Sequence, residues 1–154
     1  MKLVILSDTH GLLRPEVLAY LQQADAIIHA GDINTQKIVD QMESFAPLYI
    51  VRGNNDKEWA EHLPHDITFT LGGLHFYMVH NKKEAAAELS GIDIVVYGHS
   101  HKYAQEMRGN TLWLNPGSCG PRRFHQEITL SVLETADDGS YQVEKIVIPH
   151  SEQK

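Results

Sequence analysis

The sequence predicts an α/β (α+β) fold in which two mixed β-sheets pack together with helices outside. The first half alternates strand and helix, and this βαβαβ order implies a parallel sheet with right-handed crossovers. The second half is rich in strands separated by hairpin turns, which are typical of antiparallel sheet. We expect a single domain over residues 1–154, because no repeat or low-complexity linker divides the chain.

Three strands and two helices account for the first half. Three short continuous apolar runs fit strands that are covered on both faces. Two intervening segments carry apolar residues at helical spacing, and Pro15 near the start of the first favours a helix N-terminus there. The predicted strands cover 2–7, 26–29 and 48–51, and the predicted helices cover 15–23 and 35–45.

Hairpins and one short helix account for the second half. Turn-forming dipeptides at Gly72-Gly73, Gly109-Asn110 and Asp138-Gly139 separate pairs of strand-like segments. An amphipathic helix is predicted over 82–89 and a buried strand over 93–97. The predicted hairpin strands cover 67–71, 74–79, 103–108, 111–114, 128–134 and 141–148.

Charge and composition narrow the range of partners. The formal net charge is −7 at pH 7 and the sequence has no Lys/Arg stripe, so general nucleic-acid binding is not expected. No apolar run is long enough to cross a bilayer, and the single cysteine, Cys119, fits a reducing cytoplasm. If the protein handles phosphate, the positive charge has to come from elsewhere, and bound metal is the natural candidate.

Metal-ligating side chains follow five of the predicted strands directly. In open α/β sheets ligands bind outside the carboxyl ends of the strands, so these groups are expected to meet at one rim. A set of His and Asp without Cys suits Mn, Fe, Zn, Ni or Mg. The seven candidates are Asp8, His10, Asp32, Asn54, His80, His99 and His101.

Seven donor groups exceed the needs of one ion and suit two ions that share a ligand. Asp32 is the best bridge, because a carboxylate has two oxygens and can hold both cations. Two divalent ions, offset by Asp8, Asp32 and one hydroxide, leave a net charge of about +1 to attract a phosphate. The ions would also lower the pKa of a shared water from about 15.7 towards 7, which supplies hydroxide at neutral pH.

Six short motifs follow one another along the chain: D-x-H (8–10), G-D (31–32), G-N-x-D (53–56), the lone His80, G-H-x-H (98–101) and N-P-G-S (115–118). In this order they resemble the calcineurin-like metallophosphoesterase superfamily. The small size and the G-N-x-D form point to its compact YfcE-like phosphodiesterases. The resemblance runs from Lys2 to about Arg123. It implies the metallophosphoesterase fold, a four-layer αββα sandwich. It also implies hydrolysis of phosphodiesters, for which members of the family usually use Mn2+.

The resemblance also implies roles by position. Among the candidate ligands, it indicates Asp32, Asn54 and His80 as the catalytic residues. The first metal site would comprise Asp8, His10, Asp32 and His101, and the second would comprise Asp32, Asn54, His80 and His99.

Several residues around this set carry weaker predictions. Asn55 stands where many members have a His that can protonate the leaving group, and an amide is no general acid near neutral pH. We expect Asn55 and Arg122 to contact substrate, and His125 is a spare histidine to test as the acid. Asp56 is predicted either to supply charge at a helix N-terminus or to support a ligand side chain, and His29 to be a packed core residue.

The expected reaction is hydrolysis of a phosphodiester, or of another phosphoester, by a hydroxide held between two ions. Mn2+ is the expected metal, with Ni2+, Fe2+, Zn2+ or Mg2+ as alternatives. The alternative function is a non-catalytic metal-binding scaffold that keeps the fold, and a third is an iron oxygenase with one iron per chain. Compact relatives often form dimers or tetramers, and either assembly stays open for this chain.

Overall fold

A computed structural model describes residues 1–122 and 126–149 of the chain. Short strands and short helices alternate as predicted in the first half, and strands dominate the second. The helices in this part of the chain are α1 (Pro15–Leu21) and α2 (Gln36–Glu43), with single 3-10 turns at Glu58–Ala60 and Lys82–Glu84. The strands are β1 (Lys2–Leu6), β2 (Ala26–His29), β3 (Leu48–Ile50), β4 (Asp66–Leu71), β5 (Leu74–Val79), β6 (Ile94–Val96), β7 (Ala104–Arg108), β8 (Thr111–Asn115), β9 (Ile128–Thr135) and β10 (Tyr141–Ile148).

The first sheet has the strand order β10-β9-β1-β2-β3. β1, β2 and β3 run parallel, with Val4 beside Ile27 and Ile28 beside Tyr49, and α1 and α2 form the crossovers between them. The hairpin β9–β10 adds two antiparallel strands along the other side of β1. The predicted parallel unit is therefore confirmed, and the sheet is mixed because the last hairpin returns to it.

The second sheet has the strand order β4-β5-β6-β8-β7. Its centre is parallel, since β5, β6 and β8 share one direction, and its edges are antiparallel hairpins. Gly72 and Gly73 form the β4–β5 turn with φ of 58° and 80°, a conformation that costs glycine little. The hairpins predicted from the turn dipeptides are confirmed.

Three apolar clusters define the layers. Successive residues of a strand face opposite sides, so Leu3 and Ile5 of β1 pack between the two sheets, whereas Val4 and Leu6 pack under α1 and α2. A small third cluster covers the outer face of the second sheet. None of the helices in the described ranges is long and apolar enough to span a membrane.

The helix predicted over 82–89 is wrong. Only Lys82–Glu84 forms a single 3-10 turn, and Ala85 is already extended, with φ −62° and ψ 147°. The Ala86 amide then donates to the hydroxyl of Tyr77 at 3.0 Å, which ties the segment to β5 along a non-helical path. So short a segment does not nucleate a helix without tertiary support, and here the tertiary contact favours another conformation. The outer layer on this side is mostly irregular chain.

Candidate metal centre

The predicted ligand residues lie where strands of both sheets end. Asp8 and His10 follow β1, Asp32 follows β2, His80 follows β5, and His101 follows β6. Five of the seven candidates form two overlapping clusters in which all potential ligand atoms lie within 4.8 Å of one another. The first cluster comprises Asp8, His10 and His101, and the second comprises Asp8, Asp32 and His80.

The remaining two candidates lie beside these clusters. Asn54 and His99 are exposed and line the same cleft as His80, which has a volume of about 470 Å³. The ring of His99 meets the ring of His80 edge-on, with 5.3 Å between centroids. Both residues therefore reach the rim that the sequence predicts, but on its more open side.

One oxygen of Asp8 is the common point of both clusters. Asp8 Oδ1 lies 3.3 Å from His101 Nε2, 3.7 Å from His10 Nε2 and 3.9 Å from His80 Nε2. Asp32 Oδ2 lies 3.3 Å from His80 Nε2 and 3.7 Å from His10 Nε2. Each of these two carboxylate oxygens thus stands between imidazoles that belong to different clusters.

Three of these atoms are buried without a hydrogen-bond partner among the described residues: Asp8 Oδ1, His10 Nε2 and His80 Nε2. An unpaired buried polar atom costs about 1–3 kcal/mol, and native structures rarely keep several together without a reason. A carboxylate oxygen and two ring nitrogens are ligand atoms for divalent cations. The donor set therefore fits a divalent metal centre.

Asp8 and His80 are oriented by hydrogen bonds at the atoms that point away from the two clusters. The other oxygen of Asp8, Oδ2, accepts from the Ser7 hydroxyl at 2.7 Å and from the His99 amide at 3.2 Å. His80 Nδ1 lies 2.8 Å from the carbonyl oxygen of Ala30, which can only accept, so Nδ1 carries a proton and Nε2 offers the lone pair when the ring is neutral. Ser7 was not singled out from the sequence, although it stands directly before Asp8.

The backbone of the site is strained. Six non-glycine residues in the described ranges have positive φ, and five of them are candidate ligands. This region is rare for residues with a side chain and costs about 1–3 kcal/mol each time, so it persists mainly where function requires it. The five values are 56° at Asp8, 46° at His10, 64° at Asp32, 75° at His99 and 65° at His101.

Asp56 holds two of the site loops together. One of its oxygens accepts from the amides of Ile33 and Asn34 at 2.9 and 2.8 Å. The other accepts from the amides of Asp32 and Gly53, both at 2.9 Å. The carboxylate is buried, so these four bonds satisfy both the charge and the amides. Of the two roles weighed for Asp56, the contacts favour support of a ligand loop.

Glycine is required where these loops approach each other. A Cβ on Gly31 would lie 2.8 Å from His80 Nδ1 and 2.9 Å from the amide nitrogen of Gly53. A Cβ on Gly53 would overlap the side chain of Asp32. The glycines of the G-D and G-N-x-D motifs therefore allow the ends of neighbouring strands to approach closely, so that the candidate ligands they carry can meet.

The segment 115–118 fixes the loop of His99 and His101. The side-chain amide of Asn115 donates to the carbonyl of Gly98 at 3.2 Å and to the hydroxyl of Ser100 at 3.1 Å. Ser118 donates to the carbonyl of Asp8 at 3.0 Å and so links this segment to the first ligand loop. The contacts therefore give the N-P-G-S motif a structural role, since it holds two ligand loops in place.

Charge within the centre moves the pKa values of its members. Burial opposes ionisation of Asp8, but its contacts with His10 and His101 and the charge of His80 hold its pKa well below the usual range. Burial also opposes ionisation of Asp32, and His80 and the Asn55 amide outweigh it and lower the pKa. For His80 burial is again outweighed, here by the two carboxylates, which raise the pKa. Both carboxylates are therefore charged and ready to hold cations.

His29 is packed in the core as predicted, and it also bridges two site loops. Its Nδ1 accepts from the Gly31 amide at 3.0 Å, and its Nε2 lies 3.0 Å from the hydroxyl of Thr9. Burial lowers its pKa from 6.5 to about 4, against the charges of Asp8 and Asp56.

We expect His29 to make stability depend on pH between about 6.5 and 4. The unfolded chain binds a proton there before the folded chain does, so stability is fully present above pH 6.5 and falls by about 3 kcal/mol towards pH 4. Denaturant unfolding of the wild type and His29→Gln, both with chelator, measures this difference. Parallel stability curves for the two proteins across this interval would contradict it.

The two residues predicted to contact substrate, Asn55 and Arg122, make hydrogen bonds within the protein. Asn55 donates its amide to Asp32 Oδ1 at 2.9 Å and its side-chain amide to Asp32 Oδ2 at 3.3 Å, so it also positions Asp32. Arg122 donates to the carbonyl of Gln126 at 3.2 Å. Arg123 and His125 lie outside the described residues.

Residues 1–138 match the family description of the calcineurin-like phosphoesterase superfamily domain. The chain therefore belongs to the calcineurin-like phosphoesterase superfamily, and its Asp/His clusters suit the divalent metal ions of a metallophosphoesterase. It resembles the compact members of that superfamily, as the motifs predict.

Three curated relatives illustrate the similarity. Phosphodiesterase YfcE of Escherichia coli K12 is 30% identical over 145 residues, which cover 77% of this chain and 79% of that protein. A probable metallophosphoesterase of Mycoplasma pneumoniae is 31% identical over 152 residues, with 86% and 91% covered. A phosphodiesterase of Methanocaldococcus jannaschii is 29% identical over 141 residues, with 77% and 84% covered.

Solved structures show the same fold. A structurally and functionally characterised archaeal phosphodiesterase superposes with a TM-score of 0.77 at 26% identity and covers 96% of this chain and 100% of its own. Vps29 of Entamoeba histolytica in complex with Zn2+ superposes with a TM-score of 0.74 at 19% identity, with 96% and 99% covered, and shows the fold alone. Two packed mixed sheets, the predicted architecture, are thereby confirmed.

Proposed function

We propose that the chain hydrolyses small phosphodiesters with the help of two bound divalent ions. Mn2+ is the metal that we expect at both positions. The observation that carries the proposal is the convergence of three buried ligand atoms, Asp8 Oδ1, His10 Nε2 and His80 Nε2, which find no hydrogen-bond partner within residues 1–122 and 126–149. Two of the relatives described above are named phosphodiesterases, which supports diesters as the substrate class.

The candidate ligand residues would be divided between the two ions as the family resemblance implies. Asp8, His10, Asp32 and His101 would hold the first ion, and Asp32, Asn54, His80 and His99 would hold the second. The position of Asp32 Oδ2 between His10 and His80 supports its role as the shared ligand. When bound, such ions supply a nucleophile at neutral pH and neutralise charge on the phosphoryl group.

The side chains prepare this chemistry in three ways. Asn55 restrains both oxygens of Asp32, and Ala30 sets the tautomer of His80. The low pKa values of Asp8 and Asp32 keep both carboxylates ionised, so that no proton competes with a cation. The open cleft lined by Asn54 and His99 gives a small ester access from one side. A phosphodiester carries one charge, which suits a site with a small positive excess.

A non-catalytic metal-binding scaffold that keeps the fold is the alternative function. The presence of all seven candidate ligands at one rim favours an enzyme. One domain over 1–154, a location in the cytoplasm, an assembly of two or four chains and the absence of general nucleic-acid binding remain parts of the proposal. The acidic net charge supports the last of these, and the buried free thiol of Cys119 is consistent with a reducing compartment.

Metal-stripped protein is expected to take up about two Mn2+ per chain and to hydrolyse a nitrophenyl phosphodiester faster than the matching monoester. His80→Ala removes a ligand atom and should lower both metal content and rate. His75→Ala is the matched control, because His75 lies on β5, the strand that His80 follows, but outside the cleft, where it contacts Thr70. One ion or none at saturating metal would refute the two-ion mechanism, and two ions without turnover would favour the scaffold.

A further inference from the structure

His65 and Glu84 form a pair on the wall of the metal cleft. His65 Nε2 lies 3.4 Å from Glu84 Oε1, and both residues line the cleft that also contains His80, His99 and Asn54. The two side chains come from different loops, one before β4 and one after β5. Neither residue belongs to the six sequence motifs.

The strand register brings this pair to the metal end of the sheet. Asp66 of β4 pairs with Val79 of β5, and the residues just outside that last pair are His65 and His80. The His65 loop is further held by the Arg52 amide, which donates to the carbonyl of Pro64 at 2.8 Å. The Glu84 turn is held by its own amide, which donates to the carbonyl of Asn81 at 2.9 Å. Both partners are thus fixed to the ends of structured elements.

Stability does not account for the pair. The side chains of His65 and Glu84 are 53% and 55% exposed, and ion pairs so exposed contribute about 0–1 kcal/mol. A histidine oriented by a carboxylate is, by contrast, a common arrangement for proton transfer in active sites. An imidazole also changes charge near neutral pH, which is what a proton donor for an ester oxygen requires.

The site lacks another proton donor in the expected place. Asn55 occupies the position after Asn54, and an amide cannot release a proton near neutral pH. The amide groups of Asn55 are moreover directed to Asp32. The Nε2 atoms of His10 and His80 face the carboxylates of the centre. His65 faces the cleft where a leaving group has room.

We propose that His65, positioned by Glu84, is the general acid that protonates the leaving group. The inference rests on the proposed phosphodiesterase function. Hydroxide forms the new bond to phosphorus, the bond from phosphorus to the ester oxygen breaks, and that oxygen takes a proton from the His65 imidazolium. The products are a phosphomonoester and an alcohol, and the neutral ring regains its proton from solvent because it is half exposed.

The test compares two diesters that differ only in the leaving group, methyl nitrophenyl phosphate and methyl phenyl phosphate. Nitrophenolate leaves readily without a proton, whereas phenolate leaves poorly. His65→Gln is expected to reduce the rate on the phenyl ester by about 10²-fold or more and the rate on the nitrophenyl ester by less than about threefold. Glu84→Gln should show the same selectivity with a loss of roughly tenfold on the phenyl ester, because it acts through His65.

Metal content provides a readout independent of rate. His65→Gln and Glu84→Gln are expected to bind as much Mn2+ as the wild type, since neither supplies a ligand. His75→Gln is the matched control and should behave as wild type on both esters. Equal losses on the two esters, or no loss, would overturn the inference, as would selective loss in His125→Gln instead. A wild type without metal-dependent hydrolysis of either ester would overturn the proposed function itself.

Discussion

Asp32→Asn is expected to reduce phosphodiester hydrolysis by more than about 10³-fold and to lower the metal content of the protein. Changes outside the ligand set of a metal site already cost about 10- to 100-fold, and Asp32 is the proposed shared ligand. The substitution keeps the size of the side chain and removes its charge. Asp32 Oδ2 stands 3.3 Å from His80 Nε2 and 3.7 Å from His10 Nε2, so one change affects both proposed sites.

Metal analysis and rates on a nitrophenyl diester measure this effect together. Asp40→Asn is the matched control, because Asp40 is an exposed carboxylate on α2 that accepts from Gln36 at 2.9 Å. It should leave metal content and rate unchanged. If Asp32→Asn kept two ions per chain and a near-normal rate, Asp32 could not be the shared ligand.

Asp56→Ala is expected to lower the free energy of unfolding by about 4 kcal/mol or more. It would leave four backbone amides without their acceptor, of which those of Asp32, Ile33 and Gly53 are buried and that of Asn34 is partly buried. Each orphaned amide costs about 1–3 kcal/mol, and relaxation of the loops recovers part of the sum. Affinity for metal should fall as well, by about 10- to 100-fold, because Asp56 holds the loop that carries Asp32.

Denaturant unfolding and metal titration measure the two effects. Asp25→Ala is the matched control: Asp25 also accepts from a backbone amide, that of Lys2 at 2.6 Å, but at the surface. It should cost no more than about 1 kcal/mol, because water replaces the lost acceptor. If Asp56→Ala lowered the free energy of unfolding by no more than about 1 kcal/mol, the four hydrogen bonds would contribute little to stability.

The positions of the candidate ligands could be predicted because they follow strands. A continuous apolar run followed at once by Asp8, Asp32 or His80 gives both the strand and the point where it ends. Parallel pairing of β1 and β2 places the ends that carry Asp8 and Asp32 at one rim, and His80 joins them because the second sheet packs against the first. Sequence reasoning therefore placed these candidate ligands at strand ends from local patterns and topology, without knowledge of any distance.

The contacts that support the site could not be predicted in the same way. Asp56 accepts four hydrogen bonds from backbone amides, and these bonds depend on loop conformations that leave no periodic signal in the sequence. The left-handed backbone at His99 and His101 also had no signal, because residues of that conformation are usually Gly or Asn. The irregular path after Glu84 depends on the hydroxyl of Tyr77, a tertiary contact that overrides the helical pattern of 82–89.

The donors of each cluster come from both sheets. Asp8 follows β1 of the first sheet, whereas His80 and His101 follow strands of the second. A cation held among them acts as a reversible cross-link, and at a hundredfold excess over its Kd it adds about 2.7 kcal/mol to the folded state. The heat resistance of the protein thereby becomes a function of metal supply. Under metal starvation the same molecules would be idle and also quicker to unfold, and so easier for proteases to remove.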